Sequence, residues 1–134
     1  MIARTHRFHG RGSLRRVYEH GKIVRSTSLG LRFLLNDRRK TFRVAIVVSK
    51  TISKSAVVRN RIRRRIYEVV RLQSSNIVLP YDLVVTVYKP GSETMSSTEL
   101  EATIHHLFEQ ANIITKQPAK DEINTHAIID AKET

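Results

Sequence analysis

The chain has no cysteine. That excludes disulfide frameworks, cysteine-ligated zinc, iron–sulfur clusters and thiol nucleophiles, and it fits a reducing compartment. No stretch approaches the roughly 18 consecutive apolar residues of a membrane span, and MIARTHRFHGRG at the N-terminus places no apolar segment behind its basic residues. Neither a spanning helix nor a secretory signal is therefore expected, and the expected location is the cytoplasm. A glycine-rich phosphate loop is also missing. Acidic residues are scarce: 12 Asp+Glu stand against 24 Lys+Arg, a net charge of +12. The scarcity is local. From Met1 to Leu72 only Glu19, Asp37 and Glu68 oppose 20 basic residues, a net of +17, whereas Gln73 to Thr134 holds four basic and nine acidic residues, a net of −5. Such segregation implies one basic face on the folded domain, whose natural partner is nucleic acid before anionic membrane.

What is present is enough for one domain of 134 residues that folds without staples. Residues 1–116 form the expected domain. Residues 117–134 read as a flexible tail, polar apart from a short apolar cluster at Ala127–Ile129. The first helix is expected over Ser13–His20, with Ser13 as N-cap, Leu14, Val17 and Tyr18 on one face, and Gly21 as the stop. Leu29–Leu35 and Phe42–Val48 are apolar, partly β-branched runs joined by a polar turn, which reads as an antiparallel pair. Ala56–Leu72 is the longest periodic segment. Its Val58, Ile62, Ile66, Val69 and Val70 share an arc of roughly a third of the circumference, the face that packs on a sheet. Asp82–Tyr88, continuously apolar after Asp82, predicts a central strand ended by Lys89–Gly91. Thr98 and Glu101 in capping-box spacing announce a last helix whose Leu100, Ile104, Leu107, Phe108 and Ala111 close the core.

Five arginines occupy the seven positions Arg59–Arg65 (RNRIRRR) on the helix whose other face is committed to the core. Arginine's planar fork matches phosphate oxygens in bidentate fashion, and a helix holds several forks at fixed spacing. Lys50 and Lys54, in KTISKS just before the helix, add charge beside its first-turn backbone donors. Glu68 is the helix's one acidic residue, within reach of Arg64 or Arg71, so most of these arginines lack an internal counter-charge. No catalytic constellation of side chains is found. His105 and His106 diverge on the last helix, Glu101 and His105 share a face without further ligands, His6 and His9 fall in a basic N-terminal arm, and His20 lies near a helix C-terminus.

The run Val47–Arg71 (VVSKTISKSAVVRNRIRRRIYEVVR) resembles the signature of the protein subunit of bacterial ribonuclease P. SLRRVYEHG, FRVAIVVSK, YDLVVTVYKP and HLFEQA match further segments of that family in order, from Arg7 to Ile114. The resemblance implies a mixed α/β (α+β) two-layer sandwich of order α-β-β-β-α-β-α with a left-handed βαβ crossover. It implies a ribonucleoprotein whose RNA subunit, with Mg2+ held mainly by that RNA and the substrate, removes the 5′ leader of precursor tRNA. The protein would be an essential monomeric cofactor, one copy per RNA. Arg59, Asn60, Arg61, Arg63, Arg64, Arg65, Lys50 and Lys54 would contact the catalytic RNA. A cleft between the first helix and the sheet would hold the leader, with Leu14, Tyr18 and Arg32 at the family's aromatic positions and Arg15 and Arg43 as cations nearby. One matched aromatic remains, Tyr18, while Phe33 points to the opposite face. Ser53 and Ser55 stand where many members carry Gly-Asn.

Other classes remain to be separated. A non-catalytic ribosomal-type RNA-binding protein would use the same basic helix on structural RNA. A DNA-binding regulator lacks its helix-turn-helix pair or dimerisation heptads, a membrane-surface helix would need the apolar face that the sheet requires, and an autonomous protein nuclease stays open but finds little support in the side chains.

Overall fold

Alternation in four short segments builds one sheet, and the computed structural model describes it within residues 6–8 and 11–114. The strands are β1 (Lys22–Arg25), β2 (Leu29–Leu35), β3 (Arg43–Val47) and β4 (Tyr81–Val87), in the spatial order β1-β2-β4-β3. β4 is antiparallel to β2, from Leu29↔Val87 to Leu35↔Tyr81, and parallel to β3, from Arg43↔Asp82 to Val47↔Thr86. Asp82 to Val85 are all buried, as the apolar run demands of a strand with neighbours on both sides.

This corrects the hairpin expected between the runs at 29–35 and 42–48. Those strands never pair, because β4, arriving through a long helical crossover, takes the place between them. Its two-sided burial is a stronger demand than the proximity of β2 and β3 in sequence. The junction is fixed by the Asn36 amide, which donates to the Pro80 carbonyl at 3.0 Å and joins the end of β2 to the approach to β4. β1, only four residues long, was not legible as a separate run.

Three helices complete the order α-β-β-β-α-β-α: α1 (Arg11–His20), α2 (Ala56–Gln73) and α3 (Ser97–Gln110). On one face of the sheet, Leu29, Leu31, Val44, Ile46, Leu83, Val85 and Val87 meet Ile62, Ile66, Val69 and Val70 of α2 and Leu100, Ile104, Leu107 and Phe108 of α3. Val58 packs at the margin. Ala111, Ile113 and Ile114 are buried beyond α3. There Asn112 adopts φ 59°, and the Asn112 and Ile113 amides donate to Glu109 and Phe108 carbonyls at 3.0 and 2.9 Å, a Schellman stop sealed by buried Phe108 and Ile113.

Two caps differ from expectation. α1 begins at Arg11, so Ser13 lies within it rather than at its N-cap. α3 is capped by Ser96, whose hydroxyl accepts from the Glu99 amide at 3.1 Å. The S-x-x-E spacing holds, but two residues before Thr98 and Glu101. Ser96 has the extended backbone a cap requires, φ −63° and ψ 152°, while Thr98 is already helical. Gly21 ends α1 as expected: its amide donates to the Val17 carbonyl at 2.8 Å, and a Cβ at 21 would sit 2.5 Å from that oxygen.

Strand alternation leaves a second sheet face formed by Arg25, Gly30, Arg32, Val84, Ala45 and Val47. α1 covers part of it, over β2 and β4, through the fully buried Val17. At the outer edge of β3, Arg7 makes a parallel bridge to Val44, His6 stacks on Phe42 with ring centroids 4.1 Å apart, and its Nδ1 lies 2.9 Å from the Phe42 carbonyl. His6 is thus docked; His9 and the segment 117–134 lie outside the described residues. No described helix is long and apolar enough to cross a membrane.

Candidate nucleic-acid interface

The two faces of the sheet carry two different chemistries. On α2 the cations are displayed in two classes. Arg61 and Arg64 are exposed and make no hydrogen bond or ion pair among the described residues. The other three donate to neutral oxygens. Arg59 Nη1 reaches the Ser53 carbonyl at 2.8 Å, and Arg63 bonds the Asn60 side-chain oxygen at 2.7 Å and the Val48 carbonyl at 3.4 Å. Arg65 donates to the carbonyls of Ser92 and Met95. These contacts pin the loops on either side of α2, and because none involves a carboxylate they leave the positive charge uncompensated. Glu68 is engaged by Arg71, whose Nε lies 3.0 Å from both carboxylate oxygens, and this hydrogen bonding holds the Glu68 carboxyl below its ordinary range. Glu68 therefore neutralises the far end of the helix and spares the cluster.

The loop before α2 is ordered by its own hydroxyls. Ser49 and Thr51 Oγ atoms are 2.6 Å apart, Ser53 Oγ accepts from the Ser55 amide at 3.2 Å, and Ser55 caps α2 by accepting from the Val58 amide at 3.3 Å. Lys50 and Lys54 are exposed on it. A groove of about 370 Å³ runs along α2 between Val57, Asn60, Arg63, Arg64 and Tyr67; burial pushes the Tyr67 phenol up, keeping it neutral. Of the eight residues expected on this face, Lys50, Lys54, Asn60, Arg61 and Arg64 are exposed, while Arg59, Arg63 and Arg65 are half-buried against backbone carbonyls of the flanking loops.

On the opposite face, Arg32 on β2 lies over the Tyr18 ring of α1, its Cζ 4.9 Å from the centroid. Tyr18 is 42% exposed. Leu14, one turn earlier on α1, is half-buried, and Arg15 is exposed beside them. Phe33 faces the core and meets Tyr81 edge-on at 6.3 Å.

Arg43 does not belong with this group. Its guanidinium is buried and paired with Asp82, Nε to Oδ1 at 2.8 Å and Nη2 to Oδ2 at 3.0 Å. Asn36 Nδ2 donates to the same carboxylate at 3.0 Å, and Phe8 covers the guanidinium at 4.6 Å. A cation whose donors are spent on a buried carboxylate holds β3 to β4 and does not face a cleft. Arg25 and Tyr88, which no motif in the sequence singles out, stack at 5.3 Å from Cζ to centroid on the same face as Tyr18. The signal was available: Gly30 is two residues from Arg32 and so shares its side of the strand, and Tyr88 follows core-facing Val87.

Among the described residues no group of three or more His, Asp or Glu gathers at metal-binding distance. His105 pairs with Glu109 at 3.2 Å rather than with Glu101.

The model of the Ribonuclease P family matches residues 2–112. The chain is 40% identical over 100 residues to the ribonuclease P protein component of Clostridium novyi, covering 74% of this chain and 87% of that protein. It is 32% identical over 115 residues to that of Brevibacillus brevis, covering 86% and 90%. Among solved structures, the RNase P protein of Staphylococcus aureus superposes with a TM-score of 0.73 at 26% identity, covering 82% of this chain and 98% of that one. That of Thermotoga maritima shares the fold, with a TM-score of 0.70 at 22% identity, covering 78% and 96%.

Proposed function

The chain belongs to the ribonuclease P protein family, and from that premise we propose that its two faces divide the work of tRNA 5′ maturation between two RNAs. The outward cations of α2, Arg61 and Arg64 with Asn60, Lys50 and Lys54, grip the phosphates of the catalytic RNA subunit. Arg59, Arg63 and Arg65 add charge from behind while holding the loops in place. Phosphate contacts of this kind position a partner without reading its sequence. The α1–sheet face takes the single-stranded 5′ leader of precursor tRNA, with a base stacked at Tyr18 and Arg32 pairing with phosphate or sharing the stack. A leader of variable sequence suits such sequence-tolerant contacts.

The observation that carries this reading is the separation of Arg61 and Arg64, cations with no partner among the described residues, from the Tyr18–Arg32 stack on the other side of the sheet. Among the described residues no three His, Asp or Glu side chains gather into an all-protein cage, and Mg2+ characteristically takes phosphate oxygens and water among its ligands. In this proposal the magnesium ions belong to the RNA and the substrate, and the protein's own groups bind, orient and screen phosphate repulsion.

The test is cleavage of a 5′-labelled precursor tRNA at low magnesium by the cognate catalytic RNA, with and without the protein, beside the protein alone. Cleavage at the mature 5′ end that needs the RNA and is strongly stimulated by the protein supports the reading. Absence of stimulation, with tight binding to another structured RNA, would favour a ribosomal-type role; cleavage by the protein alone would place the chemistry in the chain.

A further inference from the structure

Arg25 on β1 is in register with Gly30 on β2, and Ile23 with Arg32, so Arg25, Gly30 and Arg32 share the α1 side of the sheet. Tyr88, the residue after β4, is anchored there by its amide, which donates to the Ser28 carbonyl at 2.8 Å. Its ring lies across Gly30 so closely that a Cβ at position 30 would be 2.2 Å from the phenolic oxygen and 2.6 Å from two ring carbons. Only a residue without a side chain leaves the ring this place. Tyr88 as a residue remains 37% exposed, and its hydroxyl makes no hydrogen bond among the described residues. A tyrosine that merely plugged the end of the sheet would bury its ring and satisfy its hydroxyl.

The result is a second ring with a guanidinium beside it, Arg25 with Tyr88, on the same face as Arg32 with Tyr18. Positions 30 and 32, which these stacks overlie, are two residues apart on one strand, about 7 Å. That separation leaves the two rings to different nucleotides. Ala45, Val47 and Thr86 are only half-buried on this part of the sheet, so the floor is open to a ligand.

We propose that Tyr88 and Arg25, admitted by Gly30, form a second platform for an unpaired RNA nucleotide on the leader face, the base stacking on Tyr88 while Arg25 turns to the adjoining phosphate. The inference rests on the leader reading given above. It supplies from the end of β4 an aromatic surface that Leu14 and Arg32 do not provide.

The experiment uses the holoenzyme reconstituted with its cognate catalytic RNA, and precursors whose leaders are lengthened one nucleotide at a time. Tyr88→Leu is expected to weaken binding by about fivefold or more once the leader reaches the platform. It should leave mature tRNA and the shortest leaders unaffected, and Tyr88→Phe should bind like wild type. The Tyr18→Ala loss should set in at a different leader length. If Tyr18→Ala weakens long-leader binding and Tyr88→Leu does not, the second platform is overturned while the leader reading stands. If neither variant changes the dependence on leader length, the leader reading itself falls. Should Tyr88→Leu fail to fold, Arg25→Gln on the exposed edge strand decides: a lower affinity and a shallower salt dependence for long leaders support the platform, and an unchanged profile overturns it.

Discussion

Arg43 and Asp82 face each other in register on the parallel strands β3 and β4 and form a buried two-point ion pair, 2.8 and 3.0 Å, to which Asn36 adds a third hydrogen bond. Removing one partner strands the other charge in the interior. Asp82→Ala is expected to cost about 3–5 kcal/mol of folding stability, measured by urea denaturation, because the guanidinium left behind is desolvated and unpaired. A loss under about 1 kcal/mol would show that water reaches the site and that the pair is not what ties β3 to β4.

The arginines of α2 should separate into two behaviours. Arg61→Ala and Arg64→Ala leave stability nearly unchanged, and each reduces the log–log salt slope of catalytic-RNA binding by roughly 0.7 to 0.9. Arg65→Ala loses the bonds to Ser92 and Met95 and is expected to lower the melting temperature as well. Equal effects of all three on stability would contradict the division drawn from their hydrogen bonds.

Tyr18 is tested through its substrate preference. Tyr18→Ala is expected to weaken holoenzyme binding of leader-bearing precursor by about 1–3 kcal/mol while leaving mature tRNA binding near wild type. Equal losses on both substrates would mean a damaged fold or a general loss of electrostatic attraction.

Glu68 offers a pH test. Its pKa is depressed mainly by hydrogen bonding to Arg71, so the pair's contribution is present above the ordinary carboxylate range and fades as pH falls through the lowered value. In Arg71→Gln the Glu68 carboxyl should titrate closer to its ordinary range when followed by NMR. An unmoved titration would assign the shift to something other than Arg71.

Much of this was legible along the chain because it is local. The 3.6-residue period of α2, the run of β2 and the apolar face of α3 each declare themselves within a short window. β1 did not, since KIVR offers too few residues to show a period. The pairing of β2 with β4 rather than β3 depends on a strand some fifty residues away in the chain, which no window contains. The role of Arg43 was hidden for the same reason: its partner Asp82 lies 39 residues on, and alone it reads as one more cation. Ser96, Ser97 and Thr98 are chemically equivalent caps in sequence, and backbone geometry chooses among them. The cation cluster was read from composition, but which arginines face outward depends on the carbonyls of residues 48, 53, 92 and 95.

Two faces of one sheet are proposed to meet two different RNAs. Because the chain has no native cysteine, a photoreactive group can be placed at a single chosen position by Arg15→Cys on α1, or by Val57→Cys on α2, where Val57 is 64% exposed beside Asn60 and Arg64. In the holoenzyme bound to labelled precursor tRNA, the group at 15 is predicted to crosslink the 5′ leader and the group at 57 the catalytic RNA. Crosslinking of both positions to the catalytic RNA, with none to the leader, would contradict the account.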